Sequence, residues 1–121
     1  MKKRTVKLFL EDINEFILLI EKYIEGLDYK KFSKNQMVID AVLRNLELIG
    51  EASKNIPEEI KSRFSDLPWP EMIGLRNIAA HGYFKIDLEI IWDIITKDIP
   101  ESKKQLKKIL KELFQDKKIN L

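Results

Sequence analysis

A chain of 121 residues, 45% apolar and 35% charged, has material for one core and not two, so residues 1–121 are read as a single domain. A net charge of only +2 does not by itself call for a nucleic-acid partner. The absence of cysteine excludes disulfides and thiol nucleophiles, which fits a cytoplasmic setting. The longest apolar run, Phe16 to Ile20, is far too short to span a membrane. The basic start, Met1-Lys2-Lys3-Arg4, looks like that of a signal peptide, but Glu11, Asp12 and Glu15 interrupt the apolar stretch behind it, so the segment reads as a first helix. Its apolar positions are Val6, Phe9/Leu10, Ile13, Phe16/Ile17, Ile20 and Tyr23/Ile24, the three-four spacing of an amphipathic helix over Val6 to Glu25, ended by Gly26. Asp28 to Lys34 is a polar connector with room for one helical turn, and Ser33 or Asn35 is placed to cap the next helix. That second long helix, Asn35 to Asn55, presents Val38/Ile39, Val42, Leu46 and Ile49, with Ile56 just beyond. Pro57 opens a short helix with Glu58 and Glu59 in its first turn, where the helix dipole favours acids. Pro68 and Pro70 suit a helix start, so a third long helix is expected from Trp69 to Ala80 or His81, with Gly82 as its stop. Asp87 caps a fourth helix carrying Leu88, Ile91, Trp92 and Ile95, and Pro100 permits a break or kink. The last helix gathers Leu106, Ile109/Leu110 and Leu113/Phe114 on one side. With no strand pattern, the expected fold is all-α, a four- to five-helix up-down bundle.

The chain has one histidine, His81, in Leu75-Arg76-Asn77-Ile78-Ala79-Ala80-His81-Gly82-Tyr83. A lone histidine is structural in most chains. At a helix C-terminus, however, free carbonyls stabilise its imidazolium and raise its basicity toward that of a usable acid. Arg76 lies five residues earlier, about 140° around an ideal helix, so the pair would not clasp one phosphate comfortably unless the helix breaks near His81. A two-fold axis beside the helix is the other solution, because it gathers two arginines and two histidines in one cleft. RNA cleavage without a metal needs a base for the 2′-hydroxyl, an acid for the leaving 5′-oxygen and a cation for the phosphate; an arginine fork matches phosphate oxygens.

These residues read as Arg-x4-His-x-Tyr, and the flanking text continues the match: Arg44-Asn45-Leu46-Glu47-Leu48-Ile49-Gly50-Glu51-Ala52, Pro68-Trp69, Ile73-Gly74-Leu75-Arg76-Asn77 and Asp87-Leu88-Glu89-Ile90-Ile91-Trp92. Over nearly its whole length the chain resembles the HepT-like HEPN toxins. The resemblance implies a helical homodimer whose Arg76 and His81 are catalytic in a composite cleft, with Asn77 in support, cleaving RNA (tRNA or mRNA) without metal or other cofactor. It also implies a type VII-like toxin–antitoxin pair, in which an MntA-like nucleotidyltransferase antitoxin silences the toxin by transferring AMP to Tyr83. A non-catalytic helical module that binds nucleotide or a partner protein through the same cleft is the alternative.

Other features admit two readings. Asp40, Arg44, Glu47 and Glu51 form one stripe of the second long helix, either a solvated ion-pair face or, for Arg44, Glu47 and Glu51, a set that orients Arg76 or His81. Beyond His81 the chain has no imidazole or thiol to complete a nitrogen–sulfur metal site. Lys103, Lys107 and Lys111 share a face that is either a soluble surface or a track for phosphates, and Trp69 and Trp92 read as core or interface residues rather than stacking platforms.

Overall fold

The computed structural model describes the backbone of residues 3–85 and 87–115, and side-chain surroundings for residues 5–79 and 87–114. Helix α1 (Lys3–Ile24) buries Val6, Leu10, Ile13, Ile17 and Ile20, spaced by four, three, four and three residues. Each such side chain contributes about 1.5–3 kcal/mol by leaving water. Gly26, with φ of 78°, ends the helix in the left-handed conformation that glycine adopts without penalty. The connector holds one helical turn, α2 (Tyr29–Ser33), which buries Phe32. Helix α3 (Gln36–Lys54) is capped by Asn35, whose side chain accepts from the Val38 amide at 3.1 Å, while Ser33 Oγ donates back to the Lys30 carbonyl. Ile39, Val42, Leu46 and Ile49 line its buried side. Pro57 leads into α4 (Glu58–Arg63).

Helix α5 (Trp69–Lys85) corrects one expectation. It continues through His81 and Gly82 to Lys85. A glycine stops a helix only by turning left-handed, as Gly26 does; inside a helix it costs about 1 kcal/mol relative to alanine, which packing can absorb. The carbonyls of the helix end therefore lie a turn beyond His81, and the expected stop at that residue is absent.

At Pro100, which permits a break or a kink, the chain stays helical. Helices α6 (Leu88–Asp93) and α7 (Ile99–Leu110) are not separated by a break; with a π turn at Ile94–Asp98 and another at Lys111–Gln115 they form one rod over residues 88–115. Proline has no amide hydrogen, and its ring crowds the carbonyl four residues back. The π turn, in which the Ile99 amide donates to the Ile94 carbonyl, widens the helix just ahead of Pro100 and absorbs that crowding. Counting the rod once, the described residues form six helices and no strand, rather than four or five.

The three long elements set the arrangement. α3 packs along α1 on one side and α5 on the other, and α7 closes over α1. Trp69 is buried, with its indole N–H on the Phe64 carbonyl at 3.0 Å. Trp92 ties the rod to α2, its ring 5.0 Å from Phe32 and edge-on to Tyr29 at 6.3 Å. Partial burial, with the carboxylates of Glu89 and Asp87 nearby, holds the Tyr29 phenol above its ordinary range. No helix among the described residues is long and apolar enough to cross a membrane.

Asp87 caps α6 as expected, accepting from the Glu89 and Ile90 amides at 3.0 and 3.3 Å. Asp87→Ala should cost about 1 kcal/mol, and thermal melting should show a fall of a few degrees. An unchanged melting temperature would show that this end of the rod is held by its side chains alone.

Candidate functional site

The site begins where two helices come unusually close. Gly50 on α3 is buried against α5, and a Cβ there would stand 2.7 Å from the Arg76 amide nitrogen and 2.8 Å from the Arg76 Cβ. Only glycine permits this approach, because the atoms in the way belong largely to backbone. One residue along α3, Glu51 is carried beside Arg76. The Arg76 Nη1 donates to Glu51 Oε1 at 2.9 Å, across 25 positions of sequence. Of the two readings of the α3 stripe, the pairing favours the one in which Glu51 orients Arg76.

The rest of the stripe divides. Arg44 pairs with Glu47 on its own helix at 2.9 Å, and Asp40 accepts from Gln36 at 2.8 Å. Glu47 stands one helical turn from Glu51 along α3. The Arg76 side chain is 34% exposed and Glu51 49% exposed, so the pair is open to solvent on one side. A guanidinium has five N–H donors, and among the described residues Glu51 engages one nitrogen of Arg76. Glu51 thus limits the orientations of Arg76 without occupying its whole fork.

Asn77 is exposed on α5 next to Arg76. The side chains of His81 and Tyr83 lie outside the described residues, and their roles rest on sequence and on backbone register. Because α5 is unbroken, positions 76 and 81 are separated by about 140° around it, whereas position 83, seven residues on, returns to within about 20° of position 76. By backbone register, position 83 therefore shares the stripe of position 76, and position 81 does not.

The lysine face of α7 is partly engaged. Lys103 reaches Glu21 of α1 at 2.7 Å and Lys104 approaches Glu101 at 3.9 Å, which favours a solvated, ion-paired face over a continuous phosphate track. Among the described residues, no group of three or more histidine or carboxylate side chains is placed to hold a metal ion.

Six packed helices, with an arginine of α5 paired to a carboxylate of α3 at a partly exposed seam, define a helical protein. The comparisons give it a family: residues 13–109 match the model of the ribonuclease HepT-like family, and the chain belongs to it. It is similar to the Methanocaldococcus jannaschii protein named "Putative RNase MJ1380", 44% identical over 106 residues that cover 88% of this chain and 97% of that one. It is also similar to "Probable ribonuclease HepT" of Thermococcus cleftensis, 40% identical over 109 residues covering 90% of this chain and 99% of its relative. No solved structure matches.

Proposed function

We propose that the chain is a metal-independent endoribonuclease, the toxin of a type VII-like toxin–antitoxin pair, acting as a homodimer on tRNA or mRNA. The observation that carries this reading is Arg76, held by Glu51 on a helix that runs unbroken past His81. With the helix intact, one chain cannot bring Arg76 and His81 onto one phosphate, so the site is completed across a two-fold axis. In that cleft one His81 takes the proton of the 2′-hydroxyl as it attacks phosphorus. The partner's His81 protonates the departing 5′-oxygen, and Arg76 meets the charge that builds on the phosphate. Family membership and the names of the relatives support the same chemistry.

Silencing by AMP transfer from an MntA-like nucleotidyltransferase to Tyr83 is part of the proposal, and the register of α5 supports it. Tyr83 lies about 10 Å along the axis from Arg76 on the same stripe. A nucleotidyl phosphate there brings an anion to the arginine that RNA needs.

The test is cleavage of RNA by the purified, unmodified protein in the presence of a chelator, with His81→Ala as control. Cleavage that the control lacks is expected; intact RNA would overturn the nuclease reading in favour of a binding module. Sedimentation should give about twice the 14.3 kDa chain mass. A monomer at micromolar concentration would remove the composite cleft. Co-expression with the nucleotidyltransferase should raise the intact mass by one or more AMP units, and Tyr83→Phe should abolish the gain.

A further inference from the structure

On the opposite side of α5 from Arg76 lies a groove of about 610 Å³, formed between the first half of α5 and the π turn and start of α7. Leu75, Ile78, Ile94 and Ile99 give it an apolar lining. Ile78 is 39% exposed, unusually open for an isoleucine on a packed helix. Gly74 also lines the groove, and a Cβ there would meet nothing within 4 Å, so the space beside this turn of α5 is open.

The charged residues around the groove are mainly acidic. Asp66, Glu71, Asp98 and Glu101 border it, against a single cation, Lys97. That ammonium is directed to Asp93 at 3.3 Å, and the nearest cation to Glu101 is Lys104 at 3.9 Å. Asp66, Glu71 and Asp98 have no ion-pair partner among the described residues.

Charge decides among the occupants. A nucleic-acid backbone would meet four carboxylates and is repelled. A second copy placing this groove against its own would set four carboxylates against four, an isologous contact of like charge. What complements the groove is a chain segment with apolar anchors flanked by lysine or arginine. We propose that this groove is a docking site for a basic, amphipathic segment of a partner protein, read by apolar burial along the floor and by carboxylates along the rim. Positions 71, 74, 75 and 78 lie between about 100° and 160° from position 76 around α5, so the occupant sits away from Arg76, while position 81, seven residues beyond 74, falls on the groove's own stripe further along the helix. The proposal does not require the ribonuclease reading.

The probe is a fluorescein-labelled synthetic peptide of leucines and lysines at helical spacing, with a twin in which glutamates replace the lysines. The lysine peptide should bind the purified protein saturably, at least tenfold tighter than its twin, and lose affinity as salt is raised. Gly74→Leu, which projects into open space, should weaken binding at least tenfold without lowering the melting temperature. Glu71→Lys combined with Glu101→Lys should do the same by charge alone, which keeps the test alive should Gly74→Leu misfold. Equal affinity for the two peptides would overturn the proposal. So would undiminished binding by both variants, or a solution homodimer that dissociates with Gly74→Leu and so reveals the groove as the interface between copies.

Discussion

Replacing Arg76 with alanine is expected to lower RNA cleavage by about 10²–10³-fold, the usual cost of removing one pre-positioned donor from a developing anion. It should leave the melting temperature nearly unchanged. The two effects separate because Arg76 and Glu51 are 34% and 49% exposed, and an ion pair so open to solvent adds only about 0–1 kcal/mol to stability. Arg76→Lys should recover little, since an ammonium keeps the charge but not the planar fork that engages Glu51 and a phosphate together. Glu51→Gln discriminates further. It keeps an acceptor of the same shape, so a loss on the order of tenfold in kcat at unchanged melting temperature identifies Glu51 as a positioning residue. A gain in rate would show that the carboxylate masks Arg76 instead. Cleavage assays and thermal melts on three purified variants settle it; full activity of Arg76→Ala would remove that residue from the mechanism.

The second large effect is expected from one added methyl group. Gly50→Ala places a Cβ 2.7 Å from the Arg76 nitrogen, 2.8 Å from its Cβ and 3.0 Å from the Ile73 carbonyl oxygen. None of these is the end of a flexible side chain, so relief requires α3 and α5 to separate along their seam. Overpacking of this kind costs about 1–3 kcal/mol or more, against a gain of up to about 1 kcal/mol from helix propensity. Gly74→Ala is the matched control: it is also helical, but its new Cβ meets open space, so only the propensity gain remains. Melting temperature should fall for position 50 and rise for position 74. Two changes of the same sign would mean that the helix seam is looser than the structure depicts. Because the displaced backbone belongs to Arg76, Gly50→Ala should also weaken RNA cleavage in whatever fraction stays folded.

The contrast between these glycines shows what was legible beforehand. Local signals read well: the buried stripe of α1, the caps Asn35 and Asp87, and the opening at Pro57 arise from spacing and from side chains that bond within three residues. What glycine does at a given point is not local. Gly26 turns left-handed, Gly82 stays within a helix and Gly50 makes room for another helix, all with the same letter. The expected stop at Gly82 failed for that reason. The pairing of Glu51 with Arg76 stood as one of two even readings, because it depends on two helices distant in sequence meeting at Gly50. Arg44 and Glu47, grouped with it by spacing, pair with each other instead. The acidic groove left no motif at all, being assembled from α5, the π turn and α7. The π turn did leave one: Ile91, Ile95 and Ile99 are buried at two successive spacings of four, directly before Pro100.

That spacing has a consequence for how the chain tolerates changes of length. Eight residues from Ile91 to Ile99 would rotate an ordinary α-helix about 80° past two full turns, carrying Ile99 off the core face; seven would fall within about 20° of it. The π turn holds one surplus residue and returns the phase before Leu106 and Ile109 take their places in the core. Loss of a residue here would leave the buried stripes on either side aligned, whereas the same loss within α1 or α3 would throw every later position of that helix out of phase. The surplus residue also sits in the wall of the acidic groove. Insertions and deletions, ordinarily confined to loops, thus have a place inside this rod where they would alter the shape of a surface while the core keeps its register.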